Sequence, residues 1–238
     1  MKFWPIKKLG QAKSRTSVVE PAVHYGARKI MKIILLTSAG MNVKEEILKI
    51  LPKPAPQIKL AHITTASKAE SDTSYVIKDT EKITSAGFHV ENIDIEGKNE
   101  RELIDLLKDK DIIYVQGGNT FYLLKYVRES GFDKIVKDLI DKGVIYIGVS
   151  AGSYIACPTI EMANWKHLDR NTVGLSDLTG LNLVPFLLSV HYRPEYKEIL
   201  KREISAAKYP VKILTDDQAI LIRNSETTLV GRGEEIKI

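Results

Sequence analysis

Residues Val144-Ile145-Tyr146-Ile147-Gly148-Val149-Ser150-Ala151-Gly152-Ser153-Tyr154-Ile155-Ala156 read as strand, sharp turn and helix. The run 144–147 contains no charged residue, as a strand covered on both faces requires. A serine at such a turn projects its hydroxyl out of the sheet, and glycines on either side remove Cβ atoms that would clash in the bend. The helix that starts there leaves backbone N–H groups without helical partners, and these can hold an oxyanion. Ser150 is therefore a candidate nucleophile, although Gly148-x-Ser150-x-Gly152 also suits a plain tight connection.

Upstream, apolar runs alternate with helical patterns. Strands are expected at 32–37, 58–64, 89–95 and 111–116, with helices near 44–51, 71–85, 100–107, 121–129 and 132–141. This alternation predicts an α/β protein with a mostly parallel sheet between helical layers. The strand 111–116 ends in Gly117-Gly118-Asn119-Thr120, where backbone N–H groups can approach a ligand and where Asn119 or Thr120 can cap the next helix. Residues 157–185 are irregular. Strand 186–190 then delivers His191, a helix covers 195–206, and segments 212–215 and 219–223 flank Asp216-Asp217 before a turn at 224–226 opens a final hairpin strand.

At 238 residues and 44% hydrophobic content, the chain can bury one sizeable core. The formal charge of +5 is unevenly placed. Residues 1–30 hold seven Lys/Arg and one Glu, or +6, which leaves −1 for the rest and removes the electrostatic case for nucleic acid. Residues 1–30 are expected to be a flexible basic extension and 31–238 a single domain. Cys157 is the one cysteine, so no internal disulfide forms; it reads as a small buried residue on the helix after Ser150. No run has the length of a transmembrane helix, and a cytoplasmic protein without membrane association is expected.

A serine hydroxyl needs a base within hydrogen-bond reach and an acid to orient that base. The histidines are His24, His62, His89, His167 and His191. His24 falls in the extension, His62 and His89 within early strands, and His167 in the irregular stretch. His191 ends an apolar strand, as Ser150 does, so the two are expected at the same edge of one sheet. For the acid, Asp216 and Asp217 follow His191, whereas Asp169 and Asp177 precede it.

Three motifs occur in order: Gly117-Gly118-Asn119-Thr120-Phe121, Gly148-Val149-Ser150-Ala151-Gly152 followed by Pro158-Thr159-Ile160, and Pro185-Phe186 with Val190-His191-Tyr192. Together they resemble the peptidase E and cyanophycinase family of serine peptidases, and the resemblance covers most of 31–238. It implies a flavodoxin-like, three-layer αβα sandwich related to class I glutamine amidotransferase domains, with a small C-terminal β-hairpin. It also implies Ser150 as nucleophile, His191 as base, and the N–H groups of Gly118 and Ala151 as oxyanion hole. The family acid lies downstream of the histidine, where Asp216 stands in place of the more usual glutamate and Asp217 is the fallback. Some members carry an aspartate fifteen residues after the serine; this chain has Trp165.

The expected activity is hydrolysis of short peptides by a Ser-His-Asp triad through an acyl-enzyme, of exopeptidase or dipeptidase type, with no metal or organic cofactor. Preference for an acidic amino-terminal residue would need a fixed cation, for which Arg193 is the first choice ahead of Arg170 and Arg202, with Asn119 also expected at the substrate. Two alternatives stay open: a non-peptide hydrolase or acyl-transfer enzyme on the same site, and a non-catalytic binding protein. Analogy alone suggests a homodimer.

Overall fold

The runs without charged residues become the inner strands of one sheet. In the computed structural model, residues 1–2, 30–166 and 169–238 are described; the basic stretch 3–29 with His24, and His167, lie outside them. In chain order the elements are β1 (Ile33–Thr37), α1 (Lys44–Lys49), β2 (Lys59–Ile63), α2 (Ser74–Ser85), β3 (His89–Ile93), α3 (Glu100–Leu107), β4 (Ile112–Val115), α4 (Thr120–Glu129) and α5 (Phe132–Asp141). They continue with β5 (Ile145–Val149), α6 (Ala151–Tyr154), β6 (Leu187–Ser189), α7 (Lys197–Ala206), β7 (Val211–Ile213), β8 (Gln218–Arg223) and β9 (Glu226–Gly231).

Seven strands form the main sheet in the order β3-β2-β4-β5-β1-β8-β9. β1 to β5 are mutually parallel, and the β8/β9 hairpin joins antiparallel to β1, as the α/β reading with a C-terminal hairpin expects. Alternate residues of each inner strand enter opposite cores. Leu35, Tyr114 and Ile147 pack with Ile47 of α1 and Ile83 of α2, whereas Leu36, Val115 and Tyr146 pack with Leu103 of α3, Leu124 of α4 and Val136 of α5. Leu35 and Leu36 are completely buried, each contributing about 1.5–3 kcal/mol of transfer free energy.

Local signals set the helix ends. Asn99 accepts the Glu102 N–H at 3.1 Å while Glu102 accepts the Asn99 N–H at 2.9 Å, a reciprocal cap that starts α3. Gly131, at φ 75°, provides the left-handed residue between α4 and α5.

Two expectations change. The helix after Ser150 stops at Tyr154, so Cys157 lies beyond it, although fully buried. The strand before His191 is not in the main sheet: β6 pairs with β7, in parallel, as a separate two-stranded sheet. Among the described residues, no helix is long and apolar enough to cross a membrane.

Candidate active site

Three neighbouring strands, β4, β5 and β1, end at one edge of the sheet, and their following residues are Gln116-Gly117-Gly118, Ser150 and Ser38. In open α/β sheets this carboxyl edge is where ligands bind. Ser150 has φ 47° and ψ −106°, a strained conformation for a residue with a Cβ. The surrounding contacts hold it there. Its N–H donates to the Thr37 carbonyl at 3.1 Å, and the Tyr146 hydroxyl donates to the Gly152 carbonyl at 2.6 Å.

The flanking glycines are needed for close approach rather than for a positive φ. A Cβ on Gly148 would lie 2.7 Å from the Gly152 carbonyl oxygen, and one on Gly152 would overlap the Val115 carbonyl oxygen. A Cβ on Gly117 would stand 3.1 Å from the Ser150 Cβ. Gly118 has φ 131° and packs so tightly on Ala66 that a Cβ would meet its carbonyl carbon at 2.5 Å.

His191 reaches Ser150 from the small sheet. The Leu214 N–H donates to the Ser189 carbonyl at 2.8 Å, and the Tyr192 N–H donates to the Leu214 carbonyl at 2.9 Å. These bonds bracket His191 against the residues after β7, where Asp216 follows. Ser150 Oγ lies 3.1 Å from His191 Nε2, and His191 Nδ1 lies 2.5 Å from Asp216 Oδ1. With the imidazole proton on Nδ1, that N–H donates to Asp216 and leaves Nε2 free to take the serine proton. The hydrogen bond from His191 is the largest cause that brings the Asp216 carboxyl down to about 2.

Sequence reading missed Ser38. Its hydroxyl donates to Asp216 Oδ1 at 2.8 Å and accepts the His191 backbone N–H at 2.8 Å. The signal available was its place directly after β1, at the same edge as Ser150. Of the other acids considered, Asp217 is not part of this row. Asp177 pairs with Arg128 on the surface at 3.2 Å. Asp169 accepts the Thr120 N–H at 2.9 Å.

Of the residues expected at the substrate, Asn119 and Arg193 do not line the cavity over Ser150 and His191. Asn119 uses both ends of its amide inside the protein, accepting the Tyr122 N–H at 3.0 Å as the cap of α4 and donating to the Arg170 carbonyl at 2.9 Å. The Arg193 side chain is 66% exposed, 4.0 Å from Glu195, and outside the cavity wall. Arg202 pairs with Glu203 at 2.7 Å. Among the other histidines, His62 is buried against Asn92 at 2.9 Å, and His89 starts the edge strand β3.

A cavity of about 470 Å³ opens over Ser150 and His191. Its wall includes Gly118, the carboxylates Glu70 and Asp169, and the lysines Lys78 and Lys82. Burial raises the carboxyl of Asp169, and burial followed by the Asp169 charge raises that of Glu70. In the same wall, Asp79 accepts from the Tyr114 hydroxyl at 2.5 Å and the Gln116 amide at 3.0 Å, and Gln116 accepts the Gly117 N–H at 2.8 Å. This chain of buried bonds fixes the glycine loop beside Ser150. Ala151 begins α6, so its N–H has no partner within the helix. Cys157 offers no rival nucleophile, because burial pushes its thiol upward.

Residues 33–230 match the model of Peptidase family S51. A Listeria monocytogenes protein named "Uncharacterized peptidase Lmo0363" is 36% identical over 167 residues, covering 69% of this chain and 82% of its own. Peptidase E of Escherichia coli O6:K15:H31 is 28% identical over 208 residues, or 86% of this chain and 84% of that one. A crystal structure from Listeria monocytogenes EGD-e, described as a candidate peptidase E, superposes with a TM-score of 0.76 at 32% identity, over 85% of this chain and 100% of that chain.

Proposed function

The chain belongs to peptidase family S51 and is a serine hydrolase of peptidase type, and from that premise we propose that it is an exopeptidase on short peptides, working through Ser150, His191 and Asp216. The observation that carries this reading is the continuous row from Ser150 Oγ through His191 to Asp216, open to the cavity. Ser150 Oγ attacks the peptide carbonyl carbon while His191 Nε2 takes the hydroxyl proton. The N–H groups of Gly118 and Ala151 receive the oxyanion. Collapse breaks the C–N bond, the leaving amine takes the proton from His191, and an acyl-enzyme remains. Water then attacks the ester with His191 again as base, releasing the acid and restoring Ser150.

The cavity wall supports a substrate that carries charge at both ends. Glu70 and Asp169 suit a peptide amino terminus, and Lys78 and Lys82 suit a carboxylate. These lysines take over the role expected of Arg193, and an acidic amino-terminal residue is compatible with them. The test is a dipeptide panel with acidic, neutral and basic first residues, each with free and acetylated amino terminus. Hydrolysis of free but not acetylated dipeptides, abolished in Ser150→Ala, is expected. Equal hydrolysis of acetylated substrates or long chains overturns the exopeptidase reading.

A further inference from the structure

Lys166 is a buried cation whose only polar anchor among the described residues lies next to the general base. The residue is 8% exposed, and its ammonium donates to the Val190 carbonyl. It also stands over the Tyr196 ring, 5.5 Å from the centroid. No carboxylate among the described residues pairs with it directly. The carboxylates whose charge acts on it are Asp169, later in its own loop, and Asp216, after β7, which also feels the Arg193 guanidinium. Burial lowers its amine to about 8, against the pull of those two carboxylates. Burying an unpaired ammonium is costly, and a methionine of similar reach would avoid that cost.

The position explains what the ammonium does. Val190 immediately precedes His191, whose φ of 54° is left-handed and disfavoured for a residue with a Cβ. Three side chains hold this bend. The Tyr154 hydroxyl takes the Val190 N–H at 3.4 Å, Lys166 takes the Val190 carbonyl, and Ser38 takes the His191 N–H at 2.8 Å. Lys166 alone among them is charged.

We propose that Lys166 is a positioning residue for His191: its ammonium pins the Val190 carbonyl, keeps the imidazole aimed at Ser150, and places a positive charge on the backbone next to His191. This rests on the Ser150–His191 reading above. Nothing in the sequence marks it, because Lys166 lies in the irregular stretch between the Ser150 turn and His191.

The test compares wild type with Lys166→Met, Lys166→Gln and Lys166→Arg by the rate at which a fluorophosphonate modifies Ser150 across pH, with thermal melting as a check on folding. Lys166→Met is expected to react at least tenfold more slowly. Its acid limb is expected to move to higher pH, because removing a nearby cation makes protonation of the His191–Asp216 pair easier. Lys166→Arg should restore both, and Lys166→Gln, which keeps a donor without charge, should still show the moved limb. If Lys166→Met does not fold, Lys166→Gln alone decides. A folded neutral variant with the wild-type rate and profile overturns the proposal, as does a slower rate with an unmoved limb. Wild type that takes no label at Ser150 fails the Ser150–His191 reading instead.

Discussion

The Ser38 hydroxyl stands 2.8 Å from Asp216 Oδ1 and 2.8 Å from the backbone nitrogen of His191. One side chain thus ties Asp216 to the backbone that carries His191. It also couples the main sheet, through the end of β1, to the small sheet that delivers His191. Ser38→Ala removes a hydrogen bond to a charged group, worth about 1.5–3 kcal/mol. The expected result is a kcat about ten- to a hundredfold lower with KM little changed, read by steady-state kinetics on the best dipeptide.

Gly117 and Gly118 are adjacent but should fail differently. A Cβ added at Gly117 would press on Ser150 at 3.1 Å from its Cβ, whereas one added at Gly118 would strike the Ala66 backbone at 2.5 Å in a backbone conformation that disfavours it. Gly117→Ala is expected to melt near wild type and to lose most of its activity. Gly118→Ala is expected to lose stability by about 1–3 kcal/mol or more, as forced overpacking does. Thermal melting paired with activity separates the two.

Acid should act on stability through Asp216. The Asp216 carboxyl is lowered to about 2, chiefly by the hydrogen bond from His191. A carboxyl lowered on folding stabilises the protein fully above its unfolded value, near 3.9, and that contribution is lost as pH falls through the folded value. The melting advantage of wild type over Asp216→Asn should therefore be present at pH 6 and disappear toward pH 2.

The legible parts of this protein were those that short-range pattern dictates. Uncharged runs such as 33–37 and 112–115 had to be covered on both faces, and Gly148-x-Ser150-x-Gly152 marked a turn whose close approach to Val115 admits no Cβ at 152. The family resemblance pointed to Ser150, His191 and Asp216, with Asp217 as the fallback, and the first three stand in one hydrogen-bonded row. Tertiary pairing was less visible. β6 is only three residues long, and nothing in its apolar character tells whether it joins β1 or pairs with β7. Nothing local marks Ser38, because its partners are 153 and 178 residues away. Asn119 showed the opposite ambiguity, since a helix cap and a substrate contact select the same side chain, and the cap of α4 is what forms.

Whether His191 activates Ser150 is read by mass spectrometry after fluorophosphonate treatment of wild type and His191→Ala. Wild type should carry a single adduct on the peptide containing Ser150, formed about 10²–10⁴-fold more slowly in His191→Ala, the usual range for losing a general base. Equal labelling of Ser150 in both proteins, or labelling at another residue, would contradict it.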